Sequence, residues 1–596
     1  MPGLVCAIGA EDAAAVVRRG AGTMCRRARH NLVVSEAPSD RVAVGFCGER
    51  GGVVRDEATG TILALDGELL PEDASRPAEG GARTLLDRYL AAGARLEVPE
   101  GWFAAAIWDP RRAELVLIAD RFGQRPLYLA RRGGVILAAS ELKALAAAGL
   151  EPELDLQAWA EMLVFEYPLD GSVPLAKVRL VPQASTLTVS RTGEEELRER
   201  WRYRVEPERV DKEAELVAEL GRLLELAVLR RLGPRTGLAL SAGLDSRSIA
   251  AVVSRLAPEV ACFTYGAPGS EDLAGGTEIA ARAGLAHRAL PLEQGYIARG
   301  AAETVWLAEG HVRCFHAHHL ALRPLREELG LREILMGFAG DVIMRGSKLA
   351  PPAEEAAFAA AVYESIAGCV TDGLLPEVFT ERFAAELRGR AREAVARHLA
   401  REDGDPVARW RQFSFRHNRP RMLWGTELFR DDLTPCDPFH DRDLVDFCRR
   451  MPEPMRLDGR LQRAYLRQFP ALIAVPSPKD GLPPALVGRR RKLAAAAVKV
   501  QRRGRALLEA RLTYPWRLRS EGLGDYAHDL RLAGAELLGI LLEPRTLARG
   551  QLRDEGVRRL VSETLSGRAR HTRALGMLLT FELFQRQFLE GDRPES

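Results

Sequence analysis

The sequence predicts an α+β sandwich, then an α/β doubly wound parallel sheet, and finally a helical C-terminal extension. Three observations carry this. At 596 residues the chain is too long for one core, and two or three domains are expected. Residues 1–149 alternate short β-rich runs with few helical stretches, the pattern of a layered sandwich. Between Gly237 and Met336 strands alternate with helices, the pattern of a parallel sheet covered on both faces.

In the first region the runs Gly3–Ile8, Val42–Cys47, Thr61–Leu65, Phe103–Trp108, Leu115–Ala119 and Val135–Ala138 read as strands. Gly81–Ala92 and Glu141–Ala148 read as its two helices. Residues 150–207 are mixed and proline-containing, and read as a connector plus hairpin. From Asp211 the pattern turns helical, and beyond Met336 helices dominate to about Phe447. Past Pro484 the chain is helical and basic, with Arg489, Arg490, Arg491, Lys492, Lys499, Arg502, Arg503 and Arg505 close together. The domains follow as 1–205, 206–485 and a basic tail, 486–596. That tail reads as a solvated helix face or as a patch for an anionic partner or membrane surface.

The most informative segment is Gly237-Leu-Ala-Leu-Ser-Ala-Gly-Leu-Asp-Ser-Arg-Ser-Ile-Ala-Ala251. An apolar run, a small polar loop and a resumed helical period read as strand, tight loop and helix. Ser241, Gly243 and Ser246 are small enough for backbone N–H groups to close on phosphate oxygens, with a helix N-terminus behind them. Asp245 would repel a phosphate unless a metal lay between, and Mg²⁺ bridging Asp245 to pyrophosphate resolves the conflict. No Gly-Lys-Ser/Thr ending is present, which argues against a Walker A loop and γ-phosphate transfer. A plain Ser/Gly turn before a helix is the alternative.

This loop resembles the Ser-Gly-Gly-x-Asp-Ser pyrophosphate loop of the asparagine synthetase family, with Ala242 replacing one glycine. Ala261–Asp272 is similar to that family's second strand and loop, and Glu333–Asp341 to its Ser-Gly-x-Gly-x-Asp segment. Thr434–Asp441, followed by Leu444–Phe447, resembles its Val-Pro-Phe-Leu-Asp segment. In the first half, Asp120–Tyr128 and Ala139–Leu145 look like segments of its glutaminase domain. The resemblance implies an N-terminal-nucleophile (Ntn) type αββα sandwich followed by an ATP-pyrophosphatase domain. It also implies a carboxylate activated as an acyl-adenylate, with ATP and Mg²⁺, and then aminated.

The first domain departs from the family at three places. Aligning Gly3-Leu-Val5 with the family's Gly-Ile-Val puts Pro2 where the nucleophilic cysteine belongs. Cys6 has a thiol, but its nitrogen lies in a peptide bond within a strand. No Arg-Gly-Pro-Asp segment occurs near Arg26–Asn31, and the Asn-Gly-Glu oxyanion segment becomes Asp66-Gly-Glu68, whose carboxylate opposes an oxyanion. A domain kept as scaffold, without glutaminase activity, is expected.

In the second domain the resemblance carries over residue by residue. Ser241, Gly243, Asp245 and Ser246 match the pyrophosphate loop, and Asp341 matches the second acidic metal ligand. Leu240, Tyr265, Met336 and Gly337 match positions around adenosine. Arg463, in Arg463-Ala-Tyr-Leu-Arg467, stands in place of the catalytic lysine, and Lys479 matches a later lysine. Surface charge is the alternative for both cations. Phe338 stands where relatives carry a glutamate or a tyrosine that helps deprotonate the amine. His311, His316, His318 and His319 lie upstream on an expected helix, as pocket-lining residues, a zinc site or a replacement base.

Composition bounds the rest. With 46% hydrophobic and 28% charged residues and a net charge of +3, the chain is an ordinary globular protein without bulk attraction for nucleic acid. The first residues read as a strand instead of a signal peptide, and no apolar stretch reaches membrane-span length. Eight scattered cysteines without a Cys-x-x-Cys pair suit a reducing cytoplasm without structural zinc. The expected function is an AMP-forming carbon–nitrogen ligase joining a small-molecule or peptide carboxylate to ammonia or another amine. A non-catalytic nucleotide- or partner-binding member is the alternative, and a homodimer stays open.

Overall fold

Alternation along the first strands dictates a two-sheet layer. In β1 (Gly3–Ile8), Leu4, Cys6 and Ile8 point to one face and Val5 and Ala7 to the other, and all are buried. A strand buried on both faces must lie between two layers. The computed structural model describes residues 1–71, 81–169, 171–207, 212–346, 352–486, 488–511 and 525–594. Side chains at 418–420, 422, 502 and 505–511 also lie outside the description, and with them those of Arg502 and Arg505 in the basic run, as does Asp211.

The first-domain strands continue as β2 (Asn31–Ala37), β3 (Val42–Gly48), β4 (Gly51–Arg55), β5 (Ile62–Leu69), β6 (Gly101–Asp109), β7 (Glu114–Ala119), β8 (Tyr128–Arg132), β9 (Val135–Ala139), β10 (Val178–Leu180), β11 (Ser185–Ser190) and β12 (Glu195–Glu199). They form two antiparallel six-stranded sheets, ordered β10-β8-β9-β1-β3-β2 and β12-β11-β7-β6-β5-β4. Leu4, Cys6 and Ile8 of one sheet pack on Ala104, Ala106 and Trp108 of the other. Helices α1 (Ala13–Gly22) and α3 (Leu142–Ala147) cover the first sheet, and α2 (Gly81–Ala92) covers the second through Leu85, Leu86 and Tyr89. This is the expected αββα sandwich.

Three differences from the sequence reading have physical causes. Helix α1 is absent from the sequence reading although Ala13, Val17, Gly20 and Ala21 form one buried face at helical spacing; an Asp12 side chain accepting from Ala15 N (2.9 Å) starts it. Strand β2 is an edge strand, half exposed, so its sequence lacks a core signature. The connector holds the expected hairpin, β11 and β12 at one edge of the second sheet, and adds β10 at the edge of the first and α4 (Leu156–Phe165), whose Trp159 packs on Phe581 and Phe584 at 4.8 and 5.1 Å. Cys25 and Cys47, 22 residues apart, form a disulfide that the scattered cysteine spacing did not announce.

The second domain opens with α5 (Glu213–Leu229) and carries β13 (Thr236–Ala239), β14 (Cys262–Gly266), β15 (His287–Pro291), β16 (Glu333–Leu335) and β17 (Thr434–Cys436). These pair in parallel in the order β15-β14-β13-β16-β17, a doubly wound sheet. Its helices include α6 (Leu244–Leu256), α7 (Glu271–Ala283) and α8 (Tyr296–Ala308). Strand β17 falls in a stretch read as helical; only three residues long, it tolerates Pro435 because it lies at the sheet edge. The C-terminal helix Thr572–Phe584 is buried along its length and joins the core of α4 and α8. The basic helix Gly488–Arg511 exposes Leu493 (73%) and Val500 (71%). Among the described residues no helix is long and apolar enough to cross a membrane.

Candidate active site

Strand β13 ends at Ala239, and the chain turns through Leu240–Gly243 into α6. The turn is held from inside: Ser241 N donates to Ser246 Oγ (3.1 Å), Ser246 Oγ donates to Ser241 O (2.9 Å), and Gly243 N donates to Ser241 Oγ (3.3 Å). Fully buried Arg247 ties it to the next layer, donating to Ala242 O (2.7 Å) and Val475 O (2.8 Å). No side chain caps α6, and an uncapped helix N-terminus is suited to an anion.

Ala242, the departure from a two-glycine loop, is accommodated elsewhere. A Cβ on Gly275 of α7 would come within 2.4 Å of the Ala242 Cβ. The methyl added in the loop thus occupies space that a glycine on the facing helix leaves open.

Opposite the loop, Gly337 and Gly340 let the segment after β16 close on α6. A Cβ at Gly337 would lie 2.8 Å from Ser246 N, and one at Gly340 would lie 2.6 Å from Asp245 Cγ. Arg345 Nη2 donates to Asp245 Oδ2 (2.5 Å) and Gln462 Nε2 donates to Oδ1 (2.9 Å). Burial pushes the Asp245 carboxyl up, Arg345 pulls it down, and the negative charge of Asp341 pushes it up again. Two carboxylates that destabilise each other's charge, each at the end of a strand-to-helix turn, fit a hard divalent cation. Magnesium asks for one or two carboxylates and completes its shell with phosphate oxygens and water. Among the described residues no group of three or more His, Cys, Asp or Glu could hold a metal by itself.

Leu240, Ser241, Gly243, Asp245, Ser246, Tyr265, Met336 and Gly337 all line one cavity of about 250 Å³, at the carboxyl edge of the sheet. Thr264, Asp272 and Phe338 complete much of its wall. Asp341 lies outside this wall and lines a neighbouring cavity together with Arg345. Arg463, on the helix Arg460–Leu466, is half buried; burial and then the charge of Arg491 lower its pKa, and Arg345 lowers it further, so the two guanidinium groups lie within electrostatic reach. Lys479 sits exposed in the turn between Ser477 and Leu482 and lines neither cavity.

The sequence reading missed Arg345 and Gln462. Neither belongs to a motif, and only the fold brings residues 100 and 217 positions away onto Asp245. The histidines occupy a loop and the short 3₁₀ turn Ala317–Leu322 instead of an α-helix, and they do not converge on a metal. His316 Nε2 bonds to Glu166 Oε1 (2.9 Å), and His318 stacks on Tyr265 at 5.3 Å. Burial pushes the His318 pKa well below the usual range.

In the first domain, Pro2 lines a cavity of about 470 Å³. Asp66 is fully buried there and accepts from Arg430 Nη2 (2.6 Å) and Ser140 Oγ (3.2 Å). Cys6 is enclosed in β1, and burial raises its thiol to about 12.

Residues 219–586 match the asparagine synthase family model, and residues 67–202 match a glutamine amidotransferase domain. The chain is similar to a putative glutamine-hydrolyzing asparagine synthetase of Mycobacterium bovis, with 28% identity over 39% of this chain and 36% of that protein. It is similar to glutamine-hydrolyzing asparagine synthetase 3 of Bacillus subtilis, with 31% identity over 26% of this chain and 25% of that one. It is also similar to the amidase chry2 of Gibberella zeae, with 29% identity over 26% of this chain and 24% of that one. These matches thus span about a third or less of each relative's length.

Proposed function

The chain belongs to the asparagine synthase family, whose members form amides at the expense of ATP, and from that premise we propose that it adenylates a carboxylate and passes the acyl group to an amine without hydrolysing glutamine. One observation carries the ligase reading. The loop, the adenosine-side residues and Asp245 line a single cavity at an open helix N-terminus.

In the first half-reaction a carboxylate oxygen attacks the α-phosphorus of ATP, and the bond from that phosphorus to pyrophosphate breaks. Backbone N–H groups of the loop and the α6 N-terminus hold the departing pyrophosphate. Asp245 and Asp341 would hold Mg²⁺, which neutralises phosphate charge when bound. Arg345 and Arg463 place further positive charge beside that centre. In the second half-reaction the amine attacks the acyl carbon, AMP leaves with the C–O electron pair, and the new ammonium loses a proton.

Among the described residues, Phe338 and the histidines that the sequence singled out are poorly suited to take that proton. Phe338 has no acceptor, His316 is engaged by Glu166, and buried His318 is a weak base. An unassisted amine with pKa above 9 is about one per cent nucleophilic or less at neutral pH. Glutamine is not the nitrogen source in this reading, because Pro2 offers no nucleophile and Asp66 is bonded to Arg430. A second reading, a nucleotide-binding member without catalysis, draws on one fact: both oxygens of Asp245 already have partners in Arg345 and Gln462.

ATP–pyrophosphate exchange across a panel of carboxylic acids tests the choice. Exchange stimulated by an acid, with amide formation from ammonia rising steeply toward alkaline pH, is expected. Nucleotide binding without exchange for any acid would favour the second reading. Efficient ammonia capture at pH 7 with no alkaline rise would mean that a base has been overlooked.

A further inference from the structure

Beside the nucleotide cavity lies a second one of about 500 Å³. Asp341 and Arg345 belong to its wall, and Arg345 bonds to Asp245 across the partition, so a molecule seated there abuts the phosphate centre. One wall is a stripe of the helix Pro406–Glu427. Trp410, Ser414, His417 and Arg421 follow one another at helical spacing and all line the cavity. At 1.5 Å per residue, Trp410 to Arg421 spans roughly 16 Å. Tyr167 and Ile366 line it as well, from the segment after α4 and from the helix Glu355–Ile366.

The chemistry of this wall is selective. Trp410 and Phe413 lie nearly parallel at 5.9 Å, and Phe413 in turn packs on His417 at 4.1 Å. Tyr167 is 8% exposed. Phe413 is 1% exposed, so these two rings are packed inside the wall, and the half-buried Trp410 is the flat surface a ligand can meet. The wall holds three arginines against one carboxylate, Asp341. Arg411 is engaged by Glu453 (3.3 Å), whereas Arg421 is exposed and makes no ion pair among the described residues. Arg345 is likewise engaged, by Asp245, so the cation left for an anionic group in this wall is Arg421. The α-ammonium of a free amino acid would have only Asp341, the carboxylate assigned to the metal. A volume near 500 Å³ also suits a ligand of drug-like size and exceeds the needs of a four-carbon acid.

We infer that this cavity seats the acid to be activated and selects an aryl-bearing carboxylic acid without a free α-amine, its ring against Trp410 and its carboxylate met by Arg421. The inference rests on the ligase reading for the fate of the acid, while the binding site itself stands on the wall residues alone. The acid's carboxylate supplies the attacking oxygen, and pyrophosphate is the leaving group.

The test uses the full chain with two probes, 3-phenylpropionate and L-aspartate, and reads binding by calorimetry separately from ATP–pyrophosphate exchange. 3-Phenylpropionate is expected to bind at least tenfold more tightly than aspartate. Trp410→Ala should weaken that binding about 3–10-fold, the size of a lost aromatic contact. Arg421→Ala, at an exposed position that does not threaten folding, should weaken it about tenfold or more. Both variants should leave Mg·ATP affinity unchanged. Aspartate binding as tightly as the aryl acid, or aryl binding indifferent to both substitutions, overturns the inference. Exchange with aspartate alone overturns it while leaving the ligase reading intact. Aryl binding that follows both substitutions but gives no exchange overturns the ligase reading and leaves the site standing.

Discussion

The cavity around Pro2 and the cavity around Ser241 are both crowded with polar groups, and they differ in where those groups direct their bonds. Around Pro2 the charges are paired with one another. Arg430 donates to Asp66 and to Glu427 (2.7 Å), Arg125 donates to Glu427 (3.1 Å), and Arg326 and Arg332 both meet Glu49 (2.7 and 2.6 Å). Most of these bonds cross from one domain to the other, so they hold the two folds together. Around Ser241 the loop bonds mainly to itself, and no side chain caps the N-terminus of α6. Paired charges make an interface, whereas donors held in place without an acceptor make a ligand site.

Breaking the first cavity should cost stability. Arg430→Leu strips the buried carboxylate of Asp66 of its cation and removes one of the two cations on Glu427. Removing one partner of a buried ion pair costs about 3–5 kcal/mol. Urea denaturation should register that loss, and an unchanged midpoint would mean that the bridge does not join the domains.

Breaking the second cavity should cost activity instead. Asp245→Asn keeps the side-chain volume and an acceptor for Gln462 or Arg345, and it removes the charge. Acid-dependent ATP–pyrophosphate exchange is expected to fall about 10²–10³-fold, the usual loss for one stabiliser of transition-state charge. The melting temperature should stay close to that of the wild type. Wild-type exchange in this variant would remove Asp245 from the metal site.

A smaller effect tests the packing behind the loop. Gly275→Ala places a Cβ 2.4 Å from the Ala242 methyl, and such overpacking costs about 1–3 kcal/mol. Adding Ala242→Gly should recover most of it. If the double variant is no more stable than the single one, the two positions are not compensating. The smallest expectation is no effect at all: Pro2→Cys should release no glutamate from glutamine, since Asp66 would still oppose the oxyanion. Turnover by that variant would return the first cavity to the class of active sites.

The sequence alone carried the order of the two folds and the strand–loop–helix turn at Ser241. Both signals are local. Alternation in β1 and β6 is read from neighbouring residues, and so is the strand–loop–helix pattern around Ser241, because backbone geometry fixes periods of 2 and 3.6. What stayed illegible depends on residues far apart in the chain. Helix α1 and strands β2 and β17 are short, small-residue or edge elements whose stability comes from what they pack on. Arg345 and Gln462 on Asp245, Gly275 beneath Ala242, and Arg430 on Asp66 follow no spacing rule. Which charge is neutralised by a partner, and which donor is left for a ligand, is decided only when tertiary packing removes water and sets distances. A carboxylate such as Asp66 or Asp245 looks the same in the sequence; its surroundings tie Asp66 to Arg430 of the other domain and set Asp245 between Arg345 and Gln462 at a cavity wall.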